Sequence, residues 1–215
     1  MGIDLITVII IAANVIISIK GLNDFSFFEK FKFNIGGLRR GEQIRMISSG
    51  FLHVNEMHLF FNMFTLYFFA DEVIAFLGPA KFLIVYFGSL IMGNLLSYYF
   101  HKEEYYYSAV GASGAVTGVL YSAILLHPNM KLYMMFIPVA IPGYIFGIGY
   151  LLYSIYGMKK QLGNIGHDAH FGGAIGGYVI TLILATWLFS TNLFMVILLA
   201  IPIVLLYVMR RTGHI

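Results

Sequence analysis

Val110-Gly111-Ala112-Ser113-Gly114-Ala115 opens an apolar run that continues through Thr117 and Leu120 to Leu126. A serine among small residues at the head of such a run has two readings. Small residues commonly line contacts between membrane helices, and a serine so placed can also serve as a nucleophile. A second stretch bears on the choice. Gly166-His167-Asp168-Ala169-His170-Phe171-Gly172-Gly173 sets a histidine at the head of another apolar run rich in glycine. A hydroxyl and a base can meet if the chain brings those two heads together.

The composition places both stretches in a membrane. Of the 215 residues, 60% are hydrophobic and 11% are charged, with a mean hydropathy of +0.84. That leaves too little polar surface to cover a soluble globule. Apolar runs long enough for a hydrocarbon core of about 30 Å, roughly 20 helical residues each, recur with short gaps. One membrane domain over residues 1–215 is expected, an all-α bundle of about seven spans. The first apolar stretch lacks a basic leader and a small-residue cleavage pattern, so it reads as a span and not a cleaved signal. Ile6 stands where an N-myristoyl signal beginning at Gly2 would have Ser or Thr. With no cysteine, disulfides, thiol catalysis and thiolate metal sites are excluded. The net charge of +3 is scattered, without the basic stripe that nucleic acid requires.

Taken in order, the spans are expected at about 3–19, 56–77, 80–100, 113–127, 143–157, 167–189 and 193–209. The first six form a core and the last is an addition. Residues 20–55 form the one long polar connection, in which Phe25, Phe27, Phe28, Phe31 and Phe33 alternate with Glu29, Lys30 and Lys32. So many rings predict a segment lying partly in the interface. Gly78-Pro79 reads as a helix stop and restart. Between residues 130 and 142, Pro138 and Pro142 predict a kinked or extended approach.

Counting spans puts the loops before the second, fourth and sixth on one face of the bilayer. His53, His58 and Asn62, then Ser113, then His170 are therefore expected near one surface. Polar and ionisable groups at that depth are expensive, and by default mark a functional site. His58 and Asn62 are four apart, hence on one helix face. Without the serine they would read as an ordinary hydrogen bond between helices.

This constellation resembles the rhomboid family of intramembrane serine proteases. The resemblance rests on Gly111-Ala112-Ser113-Gly114, on Ala169-His170-Phe171-Gly172-Gly173 with Gly177 beyond it, and on Phe51-Leu52-His53 with His58 and Asn62. It covers residues from about 40 to 180. Two departures stand out: Ile44-Arg45 where the family often has Trp-Arg, and Thr117 where an aromatic residue is common four positions after the serine. That ring is thought to pack on the catalytic imidazole, so what holds His170 in this chain is left open.

The chemistry follows from the residue types. Ser113 would attack a peptide carbonyl, and His170 would take the hydroxyl proton and return it to the leaving amine. Asp168 lies two residues before His170 and projects to a different face, so a dyad is expected. The glycines at 172, 173, 176 and 177 would bring the sixth span close to Gly114, Ala115 and Gly118 of the fourth. Gly111, Gly114, Gly173 and Gly177 are thus the expected structural glycines of the site. The resemblance implies an oxyanion hole from the backbone amide of Ser113 and the side chains of His58 and Asn62. His53 is read as touching lipid or loop backbone, and His101, His127 and His214 as interface residues.

The expected partners are transmembrane protein substrates and membrane lipids, in a multi-pass protein of the cell membrane. No cofactor or metal is indicated, and nothing sets the oligomeric state. Metalloprotease chemistry would need His-Glu-x-x-His, which is absent. Aspartyl chemistry would need a pair of embedded aspartates, and only Asp71 and Asp168 come near a span. A transporter would show an inverted repeat, and none is evident. An inactive rhomboid-like protein that binds membrane helices is the alternative function. The resemblance puts the N-terminus in the cytoplasm and the site outside, leaving only Lys81 and Lys131 on the cytoplasmic side. The positive-inside rule predicts the reverse.

Overall fold

The computed structural model describes residues 3–134, 137–161 and 166–214; Met1 and Gly2, on which the myristoyl reading turned, lie outside them. In chain order the elements are α1 (Leu5–Asn23), α2 (Phe25–Phe31), β1 (Phe33–Asn34), α3 (Ile35–Arg39), α4 (Arg45–Ser48), a short 3-10 turn (Ser49–Phe51), α5 (Glu56–Leu77), α6 (Pro79–His101), β2 (Ser108–Ala109), α7 (Ser113–Leu126), β3 (Lys131–Met134), β4 (Ile137–Pro142), α8 (Gly143–Lys160), α9 (His167–Leu184), α10 (Leu188–Thr191) and α11 (Leu193–Arg211). The chain is an all-α membrane bundle. Helices α1, α5, α6 and α11 are each long and apolar enough to cross a membrane.

The expected span over 167–189 is instead α9 followed by a separate turn, α10, because the chain bends to bury Ala185 and Leu188. Residues 131–134 and 137–142 take the extended alternative: β3 and β4 pair antiparallel, Lys131 opposite Pro142 and Leu132 opposite Ile141.

Local chemistry sets the helix ends near the site. Asn55 caps α5 by accepting the His58 backbone N–H at 2.8 Å. Gly78 ends α5 with φ +82°, and Pro79 starts α6 in the next position. Helix α7 is central, with every residue from Gly114 to Leu126 buried. Its 14 residues rise about 21 Å, less than a hydrocarbon core of about 30 Å. At least one end of α7 therefore stops short of an interface.

The long first connection is folded rather than loose. The expected interfacial stretch is α2 and β1, with Phe25 exposed and Phe33 fully buried. Phe33, Ile35 and Leu38 form a small core with Met46, Tyr98 and Tyr107. Arg45 is buried and donates to Glu42 Oε2 at 2.6 Å and to the carbonyls of Glu29 and Lys32, both at 2.8 Å. Arg45 and Arg40 both donate to Glu42, which holds its carboxyl below the usual carboxylate range. Strand β1 then pairs antiparallel with β2, Phe33 opposite Ala109 and Asn34 opposite Ser108. The connection is thus fastened to the chain four residues before Ser113.

Candidate active site

Ser113 is the first residue of α7, and the two residues before it are each held by a backbone hydrogen bond. The Gly111 N–H donates to the Ser49 carbonyl at 3.0 Å. The Ala112 N–H donates to Nε2 of His53 at 3.3 Å. That contact requires the proton of His53 to sit on Nδ1, which donates to Ser18 Oγ at 2.7 Å; the Ser18 hydroxyl donates on to the Phe51 carbonyl at 2.8 Å. His53 is fully buried in the loop before α5. Burial, helped by the nearby His58, pushes its pKa down to about 3. Of the two sequence readings for His53, the loop-backbone contact is the one present.

Gly111 has φ +134°, a backbone region L residues rarely adopt, and His58 lies against it. A Cβ at this position would stand 2.7 Å from His58 Cε1 and 3.6 Å from Ser113 Oγ. The His58 ring and the serine hydroxyl therefore flank one small space. Nδ1 of His58 is buried with no partner among the described residues. Asn62, one turn further along α5, is buried and its amide donates to the His58 carbonyl at 2.9 Å.

His170 stands in the first turn of α9. Helices α6, α7 and α9 meet closely where glycines remove side chains from all three. A Cβ on Gly93 would stand 2.7 Å from the Ala169 carbonyl, and one on Gly114 would stand 3.3 Å from it. A Cβ on Gly173 would collide with the Gly114 carbonyl, and one on Gly177 with that of Gly118. Gly114 adjoins Ser113 and Ala169 adjoins His170, so this contact carries both residues to one end of the helix pair. Among the described residues Ser113 and His170 are not hydrogen-bonded to each other, and Nε2 of His170 has no partner. Asp168 instead faces His101, Oδ2 to Nε2 at 3.5 Å, and His101 stacks on Tyr107 at 3.6 Å between centroids.

What holds His170 comes from α8, which the sequence reading passed over. Nδ1 of His170 lies 2.9 Å from the Tyr150 hydroxyl, and the two rings are nearly parallel at 6.2 Å. Phe146 in turn lies nearly parallel to Tyr150, 6.1 Å between centroids. Thr117 lies 3.3 Å from the same hydroxyl. A signal was present: Gly143, Gly147, Ser154 and Gly157 place small residues on one face of α8, and Tyr150 falls on it.

Comparison with known proteins gives the family. The Rhomboid domain family model matches residues 40–187. The chain is similar to RHOMBOID-like protein 12, mitochondrial, of Arabidopsis thaliana, 28% identical over 188 residues, 80% of this chain and 55% of that protein. It is 41% identical over 83 residues to YdcA of Bacillus subtilis (strain 168), a candidate rhomboid protease by its name, across 39% of this chain and 41% of that one. Rhomboid protein 1, mitochondrial, of Saccharomyces cerevisiae is 30% identical over 138 residues, 63% of this chain and 40% of that protein. The chain spans about half the length, or less, of these relatives. With its family match covering well over half its residues, the chain belongs to the rhomboid family.

Proposed function

We propose that the protein is an intramembrane serine endopeptidase cutting transmembrane segments of other proteins near the bilayer surface. The observation that carries this reading is the glycine contact of α7 with α9, which sets Ser113 and His170 at one end of that pair, while the His58 ring and the Ser113 hydroxyl both border the space at Gly111. Ser113 Oγ attacks the scissile carbonyl, and its proton passes to Nε2 of His170. The tetrahedral oxyanion is met by the Ser113 backbone N–H and by donors from His58 and Asn62. Collapse expels the amine, which takes the proton from His170, and leaves an acyl-serine. Water then cleaves the ester by the same proton route. A helix hides its carbonyls in hydrogen bonds, so substrates that unwind easily near the surface, with Gly or other weak helix formers, are the class favoured.

The name of the Bacillus relative points to the same chemistry. Two of the relatives above are mitochondrial by name, so a mitochondrial membrane stands beside the cell membrane as the place of action. The test is incubation of the purified protein with a single-pass model helix, comparing wild type with Ser113→Ala and mapping the cut by mass spectrometry. A discrete cut that requires Ser113 supports the reading. Binding of the helix without any cut supports the inactive alternative.

A further inference from the structure

The hydrogen bonds around His170 do not end at Tyr150. They pass from α9 to α8 and return to α7 at Thr117, one helical turn after Ser113. We propose that Tyr150 and Thr117 are positioning residues that set the tautomer of His170, supplying with neutral groups what a carboxylate supplies in a triad. This rests on the reading of Ser113 and His170 as nucleophile and base.

The direction of the protons decides the matter. For Nε2 to accept the serine proton it must carry a lone pair, so the ring proton must sit on Nδ1. Nδ1–H then donates to the Tyr150 oxygen at 2.9 Å. A phenol that accepts there still has its own proton to place, and Thr117 Oγ1, 3.3 Å away, is the acceptor the structure offers. Without that acceptor, the strongest acceptor left for the Tyr150 hydroxyl is Nδ1 itself. The phenol would turn, donate to Nδ1, and drive the ring proton to Nε2, where it blocks the base. Thr117 is buried, so water does not readily replace it. Parallel packing of Phe146, Tyr150 and His170 fixes the ring plane as the hydrogen bonds fix the proton. Asp168 is directed at His101, and His167, seated against Gly157, meets the His170 ring edge-on at 6.4 Å between centroids; the hydrogen-bond partner of Nδ1 among the described residues is the Tyr150 hydroxyl.

The test uses the full chain in lipid nanodiscs with a single-pass model substrate. Loss of the acid in a serine triad costs about 10⁴-fold in kcat by leaving the wrong tautomer, and loss of an outer-shell partner of a histidine ligand costs about 10- to 100-fold. Neutral partners fall in the lower range. Tyr150→Phe is expected to lower kcat about 100-fold and Thr117→Val about 10-fold, each with KM little changed, while Thr117→Ser restores turnover close to wild type. Nitrogen NMR on histidine-labelled protein reads the proton position directly, in active enzyme and equally in Ser113→Ala. Wild type is expected to carry it on Nδ1, and Thr117→Val to move it to Nε2. A wild-type proton on Nε2, or a proton unmoved by Thr117→Val, overturns the proposal. Cleavage retained in Ser113→Ala would instead overturn the serine-protease reading, while the NMR result still decides the positioning claim.

Discussion

Nε2 of His53 accepts the backbone N–H of Ala112 at 3.3 Å, tying the end of the long first connection to the residue before Ser113. A buried histidine from one loop thus fixes the entry of the central helix. His53→Ala leaves the Ala112 N–H without its acceptor, while the Ser18 hydroxyl keeps the Phe51 carbonyl; a buried group so orphaned costs about 1–3 kcal/mol. The variant is expected to unfold several degrees lower in detergent and to lose most turnover.

The same residue predicts a pH dependence. His53 has its pKa pushed to about 3 in the folded protein, against an ordinary value of 6.5. The unfolded chain binds the proton first, so this contribution to stability is complete above about pH 6.5 and is lost as pH falls from there toward about 3. Thermal unfolding of wild type and His53→Gln across this window checks it. The glutamine variant should show the shallower fall.

Gly111→Ala is expected to abolish turnover. It forces a side chain onto a φ of +134° and sets a Cβ 2.7 Å from His58 Cε1. Backbone strain of this kind costs about 1–3 kcal/mol, and the His58 ring is displaced from its seat at Gly111. Circular dichroism should show helix content unchanged.

Gly173→Ala is expected to part α7 from α9, since its Cβ would collide with the Gly114 carbonyl. Overpacking of this sort costs about 1–3 kcal/mol. Gly149→Ala is the contrasting case, because nothing lies within 4 Å of its added Cβ. It should be neutral or stabilising by about 0.5–1 kcal/mol. Unfolding midpoints of the two variants, measured side by side, separate close approach from general intolerance of alanine.

Asn62→Ala is expected to slow cleavage without abolishing it. Removing one oxyanion donor costs about 2.7–4 kcal/mol, or roughly 10²–10³ in kcat. At rest Asn62 donates to its own helix at the His58 carbonyl, so the loss should appear in kcat and leave substrate affinity nearly unchanged.

Much of this arrangement could be read from the chain, for a physical reason. Long apolar runs, one of them ended by Gly78-Pro79, declare helices, and Gly111-Ala112-Ser113-Gly114 with the glycines after His170 declares a close contact. The first connection was harder. Its two-residue strands and short helices are set by long-range partners, such as Arg45 reaching the carbonyls of Glu29 and Lys32, and local pattern carries no trace of those. Tyr150 was missed because tyrosine is common in apolar helices, with 15 in this chain. Only the fold shows that this one meets His170. Thr117 was noticed as a departure, yet its partner lay 33 residues away on another helix.

The central claim is that Ser113 is a nucleophile activated by His170. Labelling of the intact protein in membranes with a fluorophosphonate probe tests it most directly. The account predicts one adduct, on Ser113, absent in both Ser113→Ala and His170→Ala. Labelling that persists undiminished in His170→Ala, or a properly folded wild type that takes no label, would contradict it.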